Sequence, residues 1–261
     1  MIPAATGAAS TAQIIEVRDL AKSFGDKKIF DGVNLTVERG ETLCILGGSG
    51  TGKSVLLKSL VGLIEVDRGQ VLIEGQDLVP LDEEQRAPLR QRVAMVFQGG
   101  ALFDSLTVGS NVAYGMVRRG KFPVAELADR VAHALELVGL PGNEKMMPAD
   151  LSGGMRKRVA LARAIAAEPD VLLYDEPTTG LDPINTRRIN DLMRSVQERL
   201  KMTSILVTHD LPSAFMVSDR IAMLAEHHIL VVETPDNFRR SKLETVRNFI
   251  SAMTPQLLET A

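Results

Sequence analysis

The sequence predicts an α/β fold with a mostly parallel sheet, an N-terminal antiparallel β layer and an inserted helical subdomain. Three observations predict it. Short apolar runs, Val171–Tyr174, Ser204–Val207 and Ile221–Leu224, alternate with helical stretches, as strands buried on both faces of a parallel sheet require. An apolar strand over Glu41–Leu46 runs into a glycine-rich loop and then into helix-periodic sequence. Between about residues 98 and 167 the parallel pattern gives way to amphipathic helical spacing.

Taken in order, residues 1–13 read as a flexible tail. The first eleven are rich in Ala, Ser, Thr and Gly, and lack the basic start and apolar stretch of a signal peptide. Ile14–Val17 and Val33–Val37 read as strands of the antiparallel layer. After Glu41–Leu46, the segment Ser54–Leu63 has helical spacing through Val55, Leu56, Leu57 and Leu60. Gly69–Ile73 and Val93–Phe97 read as further strands. Val124, Leu127, Val131, Leu135 and Val138 fall at three- and four-residue steps, a helix opened near Pro123 and closed near Gly139. A second helix runs from about Ser152 to Ala167. Ile229–Val232 is a strand after an exposed turn at His227 and His228. Leu243, Val246, Ile250 and Met253 share one face of a helix in the terminal segment 241–261, so the main domain spans 14–240.

Composition narrows the function. Lys plus Arg number 30 against 33 acids, a formal charge of −3, without the basic excess of a nucleic-acid binder. The single Cys44 excludes an intrachain disulfide, and its apolar neighbours mark it as a core residue. No window offers the ~18 apolar residues of a spanning helix, so service to a membrane means docking.

Gly47-Gly48-Ser49-Gly50-Thr51-Gly52-Lys53-Ser54 fits the pattern G-x-x-x-x-G-K-[ST] between a strand and a helix. Glycines let the backbone wrap closely and aim N–H groups at phosphate oxygens. The following helix, including Val55, adds its positive end. Lys53 supplies charge to the β- and γ-phosphates and Ser54 a hydroxyl to Mg²⁺.

Asp175 and Glu176 emerge from the apolar run Val171–Tyr174, at the strand edge where open α/β sheets bind ligands. Asp175 suits the Mg²⁺ shell, and Glu176, one residue on, suits an attacking water. Without the glycine loop the pair would be an ordinary acidic turn.

A third element carries a family resemblance. Leu151-Ser152-Gly153-Gly154-Met155-Arg156-Lys157-Arg158 resembles the LSGGQ signature of ABC ATPases, and stands about 20 residues before the acids as in that family. Other marks follow in family order. Gln98 looks like the Q-loop glutamine, Thr179-Gly180-Leu181-Asp182 like the D-loop, and His209 like the switch histidine. Phe24 occupies the place of the aromatic residue that stacks on adenine. The resemblance runs from about Ile14 to Pro235. It implies the ABC ATPase fold on a P-loop NTPase core, with ATP and Mg²⁺ as cofactors. Catalytic roles would fall to Lys53, Gln98, Glu176 and His209, and metal contacts to Ser54, Gln98 and Asp175. Ser152 can cap the helix after it, and Gly153 and Gly154 leave N–H groups open as an anion site. Family geometry brings this site, with Asp182 nearby, to nucleotide bound on a second subunit, so two ATP molecules close a homodimer and hydrolysis reopens it.

The resemblance also implies a place of work: the cytoplasmic face of an inner membrane, docked on integral permease subunits, without nucleic acid. The stretch Phe97–Val108 with Asn111 and Val112, the Met155 variant of the signature, Ala149–Ser152 and Val246–Ile250 resemble ATPases of the mammalian-cell-entry (MCE) and Mla phospholipid systems. That would add an MCE-type periplasmic protein and a small regulatory subunit as partners. In the family a groove near Ala101, Leu102, Phe103 and Leu106 grips a permease helix. Importers of amino acids or other small solutes share the same motor and form the alternative. A DNA or ribosome ATPase is disfavoured by the single cassette, with about 100 residues between loop and signature. A non-hydrolysing regulator is disfavoured by the presence of Lys53, Asp175, Glu176 and His209.

Overall fold

Alternate side chains of the central strands enter two separate cores in the computed structural model, which describes residues 13–120 and 122–253. The first part of the chain runs β1 (Gln13–Phe24), β2 (Lys27–Glu38), β3 (Thr42–Leu46), α1 (Lys53–Ser59), β4 (Arg68–Ile73), β5 (Gln76–Asp77), α2 (Glu83–Gln91) and β6 (Val93–Val96). The helical insert follows as α3 (Val108–Arg119), α4 (Leu127–Leu137) and α5 (Gly153–Ala166). The sheet resumes with β7 (Val171–Asp175), α6 (Pro183–Leu200), β8 (Thr203–Thr208), α7 (Leu211–Val217), β9 (Arg220–Ala225) and β10 (His228–Glu233), and the chain ends in α8 (Pro235–Arg239) and α9 (Glu244–Met253).

Among the described residues two sheets form, β2-β1-β4-β5 and β10-β9-β3-β8-β7-β6. The first is antiparallel. In the second, β9, β3, β8, β7 and β6 pair in parallel and β10 adds an antiparallel edge. Cys44, Leu46, Leu172, Tyr174 and Leu206 point to the core shared with α3–α7 and α9. Leu43, Ile45, Val171, Leu173, Ile205 and Val207 point to the core shared with α1 and the antiparallel sheet. Each such buried aliphatic side chain contributes about 1.5–3 kcal/mol of transfer free energy. Cys44 is buried as expected, and burial pushes its thiol up to about 12.

The structure extends or corrects several elements. β1 and β2 are each 12 residues long, well beyond the short strands read from alternation. Register shifts in β1 after Val17, with Asp19 at φ +47°, interrupt the period-two pattern there. Gln13 already belongs to β1, while the rest of the expected tail, and residues 254–261, lie outside the described residues. α2 is hidden in sequence by polar composition and Pro88, yet Asp82 and Gln85 form a reciprocal capping box at its start. α3 escapes the periodicity reading because Gly109, Ser110 and Gly115 dilute its apolar stripe, although Thr107 caps it.

Val124 was expected on the α4 stripe; it lies in a 3-10 turn before the helix and is 84% exposed. Val246 and Ile250 anchor α9, whereas Leu243 precedes it and Leu243 and Met253 are both exposed. Glu226 and His227 take positive φ in the turn before β10. His227 is exposed in that turn as expected, and is tied to β2: its Nδ1 sits 3.0 Å from Ile29 O, and its carbonyl accepts from Asp31 N at 2.9 Å. His133 is exposed on α4. No helix among the described residues is long and apolar enough to cross a membrane.

Candidate functional site

Neighbouring parallel strands end together and deliver the site. The registers Leu46↔Thr208, Asp175↔Val207 and Val96↔Tyr174 place the ends of β3, β8, β7 and β6 along one sheet edge. The glycine loop leaves β3, Asp175 ends β7 and Glu176 follows it, His209 follows β8, and Gln98 follows β6. Lys53, Ser54, Val55, Gln98, Glu176, Thr179 and His209 line one cavity of about 440 Å³ with loop residues Ser49, Gly50 and Gly52.

Glycine is required at specific points of the loop. A Cβ on Gly47 would lie 2.4 Å from Leu224 O, and one on Gly52 would lie 2.5 Å from Ile29 Cγ2, with Gly52 at φ +98°. Gly50 also takes positive φ. At Gly48 the nearest atom, Thr51 Cγ2, is 3.7 Å away, so the position tolerates a side chain. Gly52 caps α1 without a side-chain hydrogen bond, leaving first-turn N–H groups for an anionic ligand.

Lys53 is buried, and its Nζ donates to Gly47 O and Gly48 O, each at 2.9 Å. It also lies 3.7 Å from Glu176 Oε1. Burial lowers its pKa, opposed by the Glu176 charge. Ser54 Oγ donates to Asp175 Oδ1 at 2.5 Å. Among the described residues no cluster of three His, Cys, Asp or Glu side chains forms a protein-only metal cage. A hydroxyl and a carboxylate in contact, with the Gln98 amide on the same cavity, instead fit Mg²⁺, which takes few protein oxygens and completes its shell with water and phosphate.

Glu176 adopts φ +49°, a left-handed conformation costly for a residue with a Cβ. Its N–H donates to Val207 O at 3.0 Å, which holds the turn. His209 Nδ1 lies 3.0 Å from Oε1 and 2.9 Å from Oε2. Oε2 also accepts from Thr179 Oγ1 at 3.0 Å and Thr208 Oγ1 at 3.4 Å. Such a carboxylate is held on several sides and can align a water for in-line attack on a bound phosphoryl group.

The sequence alone assigns Thr208 no role, and marks Lys157 only within the signature-like stretch and Thr179 only as the first residue of the D-loop-like stretch. Lys157 Nζ donates to Gln98 O at 3.2 Å and to Thr179 O at 2.9 Å. No periodicity announces these contacts, because they cross between elements.

Some expected site residues stand apart from the cavity. Phe24 is 51% exposed at the end of β1, paired with Lys27, which does line the cavity. Ser152, the N-cap of α5, accepts from Met155 N at 3.2 Å, and Ser152 and Gly153 are exposed. Gly154 lines a different cleft, beside Arg158 and Asn185. Asp182 caps α6 by accepting from Asn185 N at 2.9 Å, and bonds to Asn185 hold its carboxyl below the usual range. Within one chain, therefore, the signature turn does not meet the Lys53 cavity.

Comparison with known proteins identifies the family. Residues 30–179 match the family model described as ABC transporter. The chain is 39% identical over 237 residues to the probable ribonucleotide transport ATP-binding protein mkl of Mycobacterium leprae, covering 91% of this chain and 68% of the relative. It is equally 39% identical, over 251 residues, to the methionine import ATP-binding protein MetN of Brucella abortus, covering 95% and 68%. The chain thus spans about two thirds of the length of these relatives. Among solved structures, cbiO1 from Clostridium perfringens, part of the transporter complex cbiONQ, superposes with TM-score 0.81 at 30% identity, covering 94% and 97% of the two chains. The dimeric post-hydrolysis state of the cassette MJ0796 bound to ADP and phosphate gives TM-score 0.77 at 30% identity, covering 85% and 98%.

Proposed function

We propose, because the chain belongs to the ABC transporter family and is an ABC-type ATPase, that it pairs with a second copy to power solute movement through integral permease subunits. The observation that carries this is the convergence of Lys53, Ser54, Gln98, Asp175, Glu176 and His209 at one sheet edge. In this reading Lys53 and the loop N–H groups of residues 47–54 hold the phosphates, and Phe24 covers the adenine. Ser54, Asp175 and Gln98 would hold Mg²⁺, which when bound offsets charge on the β- and γ-phosphate oxygens. Glu176 aligns the attacking water and takes its proton as the bond from the water oxygen to the γ-phosphorus forms and the bond from that phosphorus to the β–γ bridging oxygen breaks, releasing ADP and phosphate. His209 donates a hydrogen bond to the γ-phosphate once nucleotide draws it from Glu176. Ser152, Gly153, Gly154 and Asp182 complete the partner's site, which is supported by their separation from their own chain's cavity. Peripheral attachment at the cytoplasmic face follows from dependence on cellular ATP.

For the cargo, the comparisons favour a small solute: relatives sharing 39% identity are named for methionine import and ribonucleotide transport. A second reading, phospholipid transport with an MCE-type protein and a small regulatory subunit, rests on the Phe97–Val108 stretch and Met155. Purifying the complex in mild detergent, identifying its membrane partners and analysing bound lipid tests both. A solute-binding partner with ATP-dependent uptake supports import. Co-purified phospholipid with an MCE-type partner overturns it in favour of the second reading.

A further inference from the structure

The helix that begins at the signature turn also grips both segments that frame the catalytic pocket. Arg163, on α5, donates to Gly100 O at 2.8 Å and to Ala101 O at 2.6 Å. Lys157, on the same helix, bridges Gln98 O at 3.2 Å and Thr179 O at 2.9 Å. Thr179 in turn donates its hydroxyl to Glu176 Oε2 at 3.0 Å. One ammonium group therefore joins three parts of the molecule: the start of α5, the strand-to-insert connection after β6, and the turn that fixes the Glu176 carboxylate. Ser152 and Lys157 lie five residues apart, about 7.5 Å along one helix. A displacement of the Ser152 turn is therefore carried rigidly to Lys157. Lys157 is half-buried, and burial lowers its pKa while the nearby Glu176 charge acts to raise it. Such a contact is stronger than one in bulk solvent.

We propose that Lys157 is a positioning residue that sets Glu176 for hydrolysis according to the placement of the signature turn, by holding the Gln98 and Thr179 carbonyls together. This deepens the assignment of Glu176 as the water-aligning group and rests on it. When a second subunit's nucleotide seats against Ser152, α5 moves as a unit, and Lys157 transmits the shift to Thr179 and so to the carboxylate. Both acceptors are backbone carbonyls, so the link depends on a long donor at position 157 and not on the identity of the residues it holds. Methionine keeps the apolar stem but removes every donor, whereas arginine can still span two carbonyls.

The test compares full-length chain, reconstituted with its permease, as wild type, Lys157→Met, Lys157→Arg and Glu176→Gln. Lys157→Met should bind ATP within about twofold of wild type, while kcat falls about tenfold or more. Amide exchange should quicken at Gly100 and Leu181, with protection in α5 preserved. Lys157→Arg should recover most of kcat. Wild-type kcat in Lys157→Met overturns the proposal, as does a loss of kcat with α5 itself unprotected and no recovery by arginine. Glu176→Gln separates the two claims. If it abolishes turnover while Lys157→Met does not, only the role of Lys157 falls. If both variants turn over normally, the role of Glu176 falls as well.

Discussion

Glu176 and His209 face each other across 3.0 Å, from the ends of two neighbouring parallel strands. The carboxylate that would align water and the imidazole that would meet the γ-phosphate thus hold each other in place. His209→Ala should leave ATP affinity within about threefold of wild type and lower kcat about tenfold or more, because the lost donor acts mainly in the transition state. Titration of ATP binding together with steady-state phosphate release checks this. A weakened affinity with unchanged kcat would assign His209 to ground-state binding.

The glycine loop is packed tightly at one position and loosely at its neighbour. A Cβ at Gly47 meets Leu224 O at 2.4 Å, whereas at Gly48 nothing lies nearer than 3.7 Å. Gly47→Ala should cost about 1–3 kcal/mol of stability. Gly48→Ala should stay within about 0.5 kcal/mol. Urea unfolding of both variants measures the difference, and equal stabilities would contradict the loop geometry.

Glu74 lies between Arg39 and Arg92, and its hydrogen bonds to these, Arg92 first, hold its carboxyl down at about 2 against an ordinary 4.5. A depressed folded-state pKa gives stability that is complete above the unfolded value and lost as pH falls through the folded one. Wild type should therefore outlast Glu74→Gln at pH 7, and the gap should close between pH 4.5 and about 2. Parallel stability curves over that range would refute the ion pair's contribution.

Phe103 is 40% exposed and packs against Tyr114, the two rings tilted by 43° with centroids 4.5 Å apart. Asn111, fully buried, fixes this loop by accepting from Phe103 N and donating to Phe103 O. Phe103→Asp should keep ATP binding and the fold but prevent copurification with the permease. Intact copurification would place the permease contact elsewhere.

The candidate site groups were legible because their types and spacing are themselves the signal. Gly47 to Ser54 is one contiguous pattern, and Asp175 and Glu176 follow an unmistakable buried strand. The central strands were legible for a related reason: both faces are buried, so Leu43 to Leu46 and Val171 to Tyr174 carry no polar interruption. β1 was not, since bulges around Asp19 break its alternation. α3 was not, since its glycines weaken the stripe that Val108, Val112 and Met116 bury. Thr208 and Lys157 gained their roles only through space, from strand ends and a helix brought beside Glu176 by the sheet order.

The most direct measurement is ATP hydrolysis and ATP-dependent pairing of Glu176→Gln in the presence of magnesium. The amide keeps the side chain's shape but cannot take a proton, so turnover should fall by about 10²-fold or more, and size-exclusion chromatography with ATP should show a trapped dimer. Hydrolysis at the wild-type rate, or a chain that stays single with ATP bound, would contradict the account.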